Sequence, residues 1–358
     1  MPNESEQSRI RVRRGCGLFE MVRTRRDFLK GMSIFWFLAM AGLSMKGCSR
    51  KRELPAESTI IRVSNSEAVD NTGGKDDVNL RASVIEEMVN EGIKQLTGKK
   101  RVEDAWSAII PDPTKKMAIK VNCQITGIFT KGKIVKAVTD GIVARGVNPN
   151  NIVIYDLRDN GFIYAGLRKN LGEGIKAGTC DELGGFSWIQ WFGFPLKKDR
   201  NRFCKVLAGE GEYGCDYLIN MPVLKSLDGY SGVSISLKNH FGSISDCSNL
   251  HRKIHDSIAA LNASELIVGK TRLILADGIF TSYKWVNGRS QEFVETTNQL
   301  LFGTDPVAID YLGWMSIEHL RRRRGLTPVE PSPSFIERAS QKYGLGNWSR
   351  EKIRIIDV

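Results

Sequence analysis

The residue types best able to hold an anion, a metal ion or a proton are gathered between Tyr217 and Asn262. Three of the four histidines, His240, His251 and His255, lie there, with Lys225, Lys238, Cys247, Asp246 and Asp256. The densest point is Leu237-Lys238-Asn239-His240-Phe241-Gly242, where a cation, an amide and an imidazole fall within one turn. That set suits binding of an anionic group, or proton transfer by His240 near neutral pH, and Gly242 frees the backbone to turn. Its structural alternative is a helix terminus in which Lys and His cap carbonyls. Lys225 follows Asn220-Met-Pro-Val-Leu, a proline-containing turn, and suits holding a phosphate or carboxylate; a solvated surface lysine is the plainer reading.

His251-x-x-x-His255 puts two imidazoles on one face of a helix, a spacing compatible with metal capture. With His240 and Cys247 they make a four-ligand transition-metal site that can be drawn, although no glutamate follows His251 as the zinc-protease pattern requires. Anion contact, acid–base chemistry and a structural role compete with that reading. The cofactor is therefore open.

The elements that must position these residues read as an α/β protein. Strands are expected at Ile60–Val63, Met117–Val121, Asn151–Asp156, Asp216–Asn220, Arg272–Asp277 and Gln299–Phe302, and helices at Leu80–Leu96, Lys133–Ala144 and around Phe162–Leu171. Strand–helix–strand order with short links predicts a three-layer sandwich around a largely parallel sheet. Asn122, Asp156, Asn220 and Asp277 each stand at a strand end, where ligands gather in open α/β sheets; helix capping is the alternative at any one of them. Lys120 could face either side of the sheet. Asp305-Pro306 reads as a helix start and Arg321–Arg324 before Gly325 as a helix end. The aromatic run Phe186–Phe194 is a strand or packed loop, and Trp188–Phe194 could serve as a partner face.

The net charge of +12 does not point to nucleic acid. Residues 1–52 hold 12 of the 52 Lys/Arg and 4 of the 40 Asp/Glu, which leaves 40 against 36 for the remainder. The basic excess belongs to an N-terminal segment in which Thr24-Arg25-Arg26-Asp27-Phe28-Leu29-Lys30 precedes the apolar run Ile34–Leu43. The run is shorter than a membrane-spanning helix needs. The pattern resembles a twin-arginine signal, which implies recognition by that translocation machinery, export of a folded protein to the periplasmic or outer cell-surface side, and a raised expectation of a cofactor. Gly47-Cys48 resembles a lipoprotein processing site, which would tether the chain to the membrane through a lipidated Cys48, while Ala39-Met40-Ala41 offers ordinary cleavage instead. The expected organisation is a signal over 1–52, a linker over 53–58 and one domain over 59–358. Of the seven cysteines, five lie beyond this segment, with no C-x-x-C and no ferredoxin-like run; in an oxidising compartment they allow up to two disulfides.

Asn220–Lys225 (NMPVLK), Ser236–Gly242 (SLKNHFG), His251 in its loop, Leu275–Ile279 (LADGI) and Gly303–Gly313 (GTDPVAIDYLG), in this order, resemble the domain-of-unknown-function-362 family. The resemblance spans roughly residues 58–330. By position Lys225, Lys238, Asn239, His251, Asp277, Asp305 and Asp310 match the family pattern, whereas His240 and His255 rest on their chemistry alone. The ferredoxin cysteines found in many members are absent, and the histidine that the family commonly carries two residues after Lys225 is here Leu227. The expectation is an enzyme acting on a small anionic substrate. His240, His251 and Lys238 would be its catalytic residues, and Lys225, Asn239, Asn220, Asp277 and Asp305 its substrate contacts. A metal- or cofactor-binding redox accessory protein and a surface-tethered binding module are the alternatives.

Overall fold

Short apolar runs with no polar face form the parallel centre of the sheet, as expected of strands covered on both sides. In a computed structural model that describes residues 54–358 apart from 71–73, 76, 125–127, 159–160, 194–199 and 288, ten strands make one mixed sheet. They are β1 (Ser58–Ser64), β2 (Met117–Lys120), β3 (Ile152–Asp156), β4 (Lys176–Thr179), β7 (Tyr217–Asn220), β8 (Val223–Leu227), β9 (Gly232–Ser234), β10 (Thr271–Ser282), β11 (Val294–Gly303) and β12 (Ile353–Asp357). The order is β12-β1-β11-β10-β7-β2-β3-β4, and β11 alone along this path runs antiparallel to its neighbours. β5 (Phe186–Gly193) and β6 (Arg200–Cys204) form a separate hairpin. The twin-arginine pattern, the apolar run and Cys48 lie outside the described residues, as does Phe194.

Alternate residues of each central strand enter two different cores. Met117 and Ile119, Ile152 and Ile154, Tyr217 and Ile219, Leu273 and Leu275 pack with α1 (Ala82–Thr97), α2 (Val102–Ile109) and α3 (Gly132–Ala144). Ala118, Val153, Leu218 and Ile274 face the other way. They meet α4 (Ser236–Asn239), α5 (Ile254–Asn262), α6 (Pro306–Arg323) and α7 (Phe335–Tyr343). This period of two makes the three-layer α/β sandwich.

The chain steps outward from β2 to β3 and β4, then returns to the other side of β2 as β7 and continues to β10. The direction of strand addition therefore reverses between β2 and β7, where an open α/β sheet leaves a crevice beyond its carboxyl ends. Met221-Pro222 is not a reversal. β7 and β8 run one after the other along the same side of the long β10, so Lys225 sits inside a strand rather than after a turn.

Two other expectations change, and a third holds. No helix forms around Phe162–Leu171: residues 161–166 are turns, Gly166 has φ +76°, and the Ala165 carbonyl is taken by Gly132 N–H at 2.6 Å, at the start of α3. All five described cysteines are unpaired thiols. The arginine run ends α6 as expected, with Gly325 at φ +66°; Arg321 is buried on Asp228 at 3.0 Å, while Arg323 and Arg324 pair with Glu295.

Candidate functional site

Lys120, last in β2, is fully buried, and its side chain is the centre of a polar network at the β2–β7 switch. Its Nζ donates to Asp156 Oδ1 at 2.7 Å, to the Val121 carbonyl at 2.6 Å and to Asn239 Oδ1 at 3.3 Å. Asp156 accepts two more bonds, from Leu157 N–H on Oδ1 and Cys123 N–H on Oδ2, each at 2.7 Å. Asn239 joins the strand ends. Its Nδ2 donates to Asn220 Oδ1 at 2.7 Å and its Oδ1 accepts from Asn122 Nδ2 at 2.9 Å. Asn122 in turn presents Oδ1 to Lys225 Nζ at 2.6 Å.

The turn that supplies Lys238 and Asn239 is anchored from three sides. Asp310 of α6 accepts from Ser236 N–H at 2.7 Å and Leu237 N–H at 3.2 Å, satisfying the first donors of α4. Asn220 Nδ2 holds the Ser236 carbonyl at 3.1 Å, and Asn262 Nδ2 holds the Leu237 carbonyl at 2.7 Å. Gly242 is needed for close approach rather than for turning. A Cβ there would stand 2.4 Å from Asp156 Oδ1 and 2.8 Å from Lys120 Nζ.

Beside this network lies a cavity of about 260 Å³. Its polar lining is Asn122, Gln124, Lys225, Ser234, Lys238, Asn239, Cys247 and His251; Leu157, Leu227, Tyr230, Phe241 and Trp285 give it apolar walls. No carboxylate lines it among the described residues.

The model of the family described as Domain of unknown function (DUF362) matches residues 117–315, from the first residue of β2 into α6. The chain belongs to that family. No curated protein matches it. Every residue of the network just described, from Lys120 to Asp310, falls inside the matched DUF362 span.

Within this DUF362 domain the cations divide by partner. Lys225 is buried, its one hydrogen-bond acceptor among the described residues is the neutral Asn122, and its amine is pushed down to about 7, first by burial and then by Lys238. Lys238 is half-buried, lies 4.5 Å over the Phe241 ring, and is pushed down to about 8 by burial. His251 lines the cavity and is held below its usual value by burial and then by Lys238. The Cys247 carbonyl stands 2.9 Å from His251 Nδ1, so the neutral ring carries its proton there and keeps Nε2 as its basic atom.

The histidines do not gather. His240 is buried, bonded through Nδ1 to Ser243 Oγ at 3.3 Å, and burial with Lys120 lowers it to about 3, which keeps it neutral; it does not line the cavity. His255 stacks on Phe335 with 6.0 Å between ring centres and leaves Nδ1 without a partner among the described residues. The shared helix expected for His251 and His255 is broken. His251 belongs to a 3-10 turn over Ser248–Lys253, and Lys253 at φ −136°, ψ 56° separates it from α5, where His255 lies. Cys247 lines the cavity with its thiol raised by burial. Among the described residues no three His, Cys, Asp or Glu side chains are placed to hold a metal ion.

Three of the expected substrate contacts, Asp277, Asp305 and Asn220, do not line this cavity. Asp277 Oδ2 accepts from Lys131 N–H at 3.0 Å, at the start of α3, and its Oδ1 from Ile279 N–H at 3.0 Å. Asp305 caps α6 through Val307 and Ala308 N–H and takes Ser58 Oγ at 2.5 Å, at the amino-terminal start of β1. Asn220 acts on α4, not on the cavity. The residues underestimated from sequence are Lys120 and Asn122; a lysine in an otherwise apolar four-residue strand was the available signal.

Proposed function

We propose that this chain is an enzyme that binds a small anionic substrate in the cavity at the β2–β7 switch. One observation carries the reading: Lys225 and Lys238 both face a cavity whose described lining has no carboxylate. A buried cation without a counter-ion is costly, and a carboxylate or phosphate entering the cavity would supply one. Lys238, free of hydrogen-bond acceptors among the described residues, is the charge clamp, and Asn122 and Asn239 are neutral contacts. His251 is the proton-exchanging group, because it is neutral, lines the cavity and is fixed in one tautomer. The walls of Phe241, Leu157, Leu227 and Trp285 favour a ligand with an apolar part. The twin-arginine pattern supports the further proposal that the protein works after export, folded, on the outer side of the membrane.

The test is a thermal-shift panel with phosphate, acetate, pyruvate and benzoate on wild type, Lys225→Met/Lys238→Met and His251→Ala. The reading expects at least one anion to raise the melting temperature of the wild type in a saturable way and not that of the double lysine variant. With a substrate in hand, His251→Ala should lose about 10²–10⁴-fold in turnover while melting within a degree or two of wild type. Equal anion binding by wild type and the double lysine variant would place the ligand elsewhere.

A further inference from the structure

We infer that Lys225 acts as an amine nucleophile, forming a Schiff base with a substrate that carries a carbonyl carbon close to its anionic group, as in a 2-oxo acid. The inference rests on the anion-site reading above and deepens it.

Hydrogen bonding separates Lys225 from the other buried lysine of the site. Lys120 gives its ammonium three acceptors, one of them a carboxylate. Lys225 has one acceptor among the described residues, the amide oxygen of Asn122. A protonated Lys225 would leave two N–H donors unmatched in a buried position, whereas a neutral amine donates to Asn122 and keeps a lone pair. Asp156 favours the charged form only at longer range, after burial and Lys238 in weight, and its hydrogen bonds among the described residues go to Lys120 and two backbone N–H groups. Desolvation beside a second cation is the arrangement that activates a lysine for attack on a carbonyl, and the lowering of Lys225 to about 7 agrees with it. Lys238, at the wall of the same cavity, then holds the anionic end of the molecule.

The step balances without an oxidant or reductant. The nitrogen lone pair adds to the carbonyl carbon, and the carbonyl π pair moves to oxygen, which takes a proton. Nitrogen loses a proton, the hydroxyl leaves as water after a second protonation, and a protonated Schiff base remains. His251 lines the cavity and is the group available to exchange these protons. Leu227, two residues on in the same strand and therefore on the same face, lines the cavity and sets an apolar wall beside the amine.

The experiment treats the purified chain with glyoxylate, pyruvate or phenylglyoxylate in the presence of cyanoborohydride, followed by intact mass and peptide mapping. Calorimetry is run in parallel with the hydroxy acids glycolate, lactate and mandelate, which keep the anion and lack the carbonyl. The expected result is one reduced adduct on Lys225, absent from Lys225→Met, formed at a rate that levels off above about pH 7 while surface lysines continue to gain reactivity. Peptide mapping of the wild type decides the position even if Lys225→Met does not fold. Binding of the hydroxy and oxo acids with no adduct, or with adducts spread over surface lysines, overturns the Schiff base and leaves the anion site standing. Absence of binding by either series overturns both.

Discussion

Lys120, last in β2, and Lys225, inside β8, lie in one network of one sheet, yet they are treated in opposite ways. Lys120 is surrounded by what an ammonium needs: the Asp156 carboxylate, the Val121 carbonyl and the Asn239 amide oxygen. Lys225 meets a single neutral acceptor among the described residues and is pushed down by burial and Lys238. The first half of the network is complete in itself and fixes where strand ends and α4 stand. The second half leaves Lys225 on one amide oxygen among the described residues, and it is there that we propose a ligand binds. What separates the two lysines is the number and charge of their acceptors among the described residues, since both are almost fully buried.

The comparison can be broken at its structural half with the largest effect on stability. Asp156→Ala leaves Lys120 as an uncompensated buried charge, and denaturant unfolding should show a loss of about 3–5 kcal/mol. Gly242→Ala drives a methyl group into Asp156 Oδ1 and should lose about 1–3 kcal/mol by the same measurement. Lys225→Met should differ from wild type by no more than about 1 kcal/mol, because losing the donor to Asn122 is offset by removing a poorly solvated amine. A loss as large as that of Asp156→Ala would erase the distinction between the two lysines.

A pH slope tests the comparison in a different way. Lys225 in the folded state is lowered to about 7 from an ordinary value of 10.5, so between those values the unfolded chain binds the extra proton. Stability should therefore rise with pH from about 7 to 10.5, and fall again as pH drops towards 7. Lys238, lowered to about 8, adds to the same slope from about 8 upward. Thermal melts across this range should show a shallower rise in Lys225→Met than in wild type.

Much of the fold was legible because it rests on local pattern. The apolar strands, the helices over 82–97 and 132–144, and the Asp305-Pro306 start of α6 follow from periodicity and capping. The helix expected near Phe162 failed because tertiary bonding to the start of α3 and a left-handed Gly166 compete with it. The site was legible in part. Lys225, Lys238, Asn239 and His251 meet at or beside one cavity, as the sequence suggested. Lys120 was obscure because a lone lysine in a short strand carries no cue to its face, and its partner is 36 residues away. The His251–His255 spacing misled because nothing local announces the break at Lys253. Leu227 stands at the cavity wall and gives it apolar surface there.

The central claim is that the cavity beside Lys225 and Lys238 is an anion site, and isothermal calorimetry tests it most directly. Pyruvate and benzoate would be titrated into wild type, Lys225→Met and Lys238→Met at pH 6.5, where both lysines are largely charged. The account predicts stoichiometric, saturable binding of at least one of these anions by the wild type, weakened at least tenfold in each variant. Undiminished binding in both variants, or no saturable binding by the wild type, would contradict it.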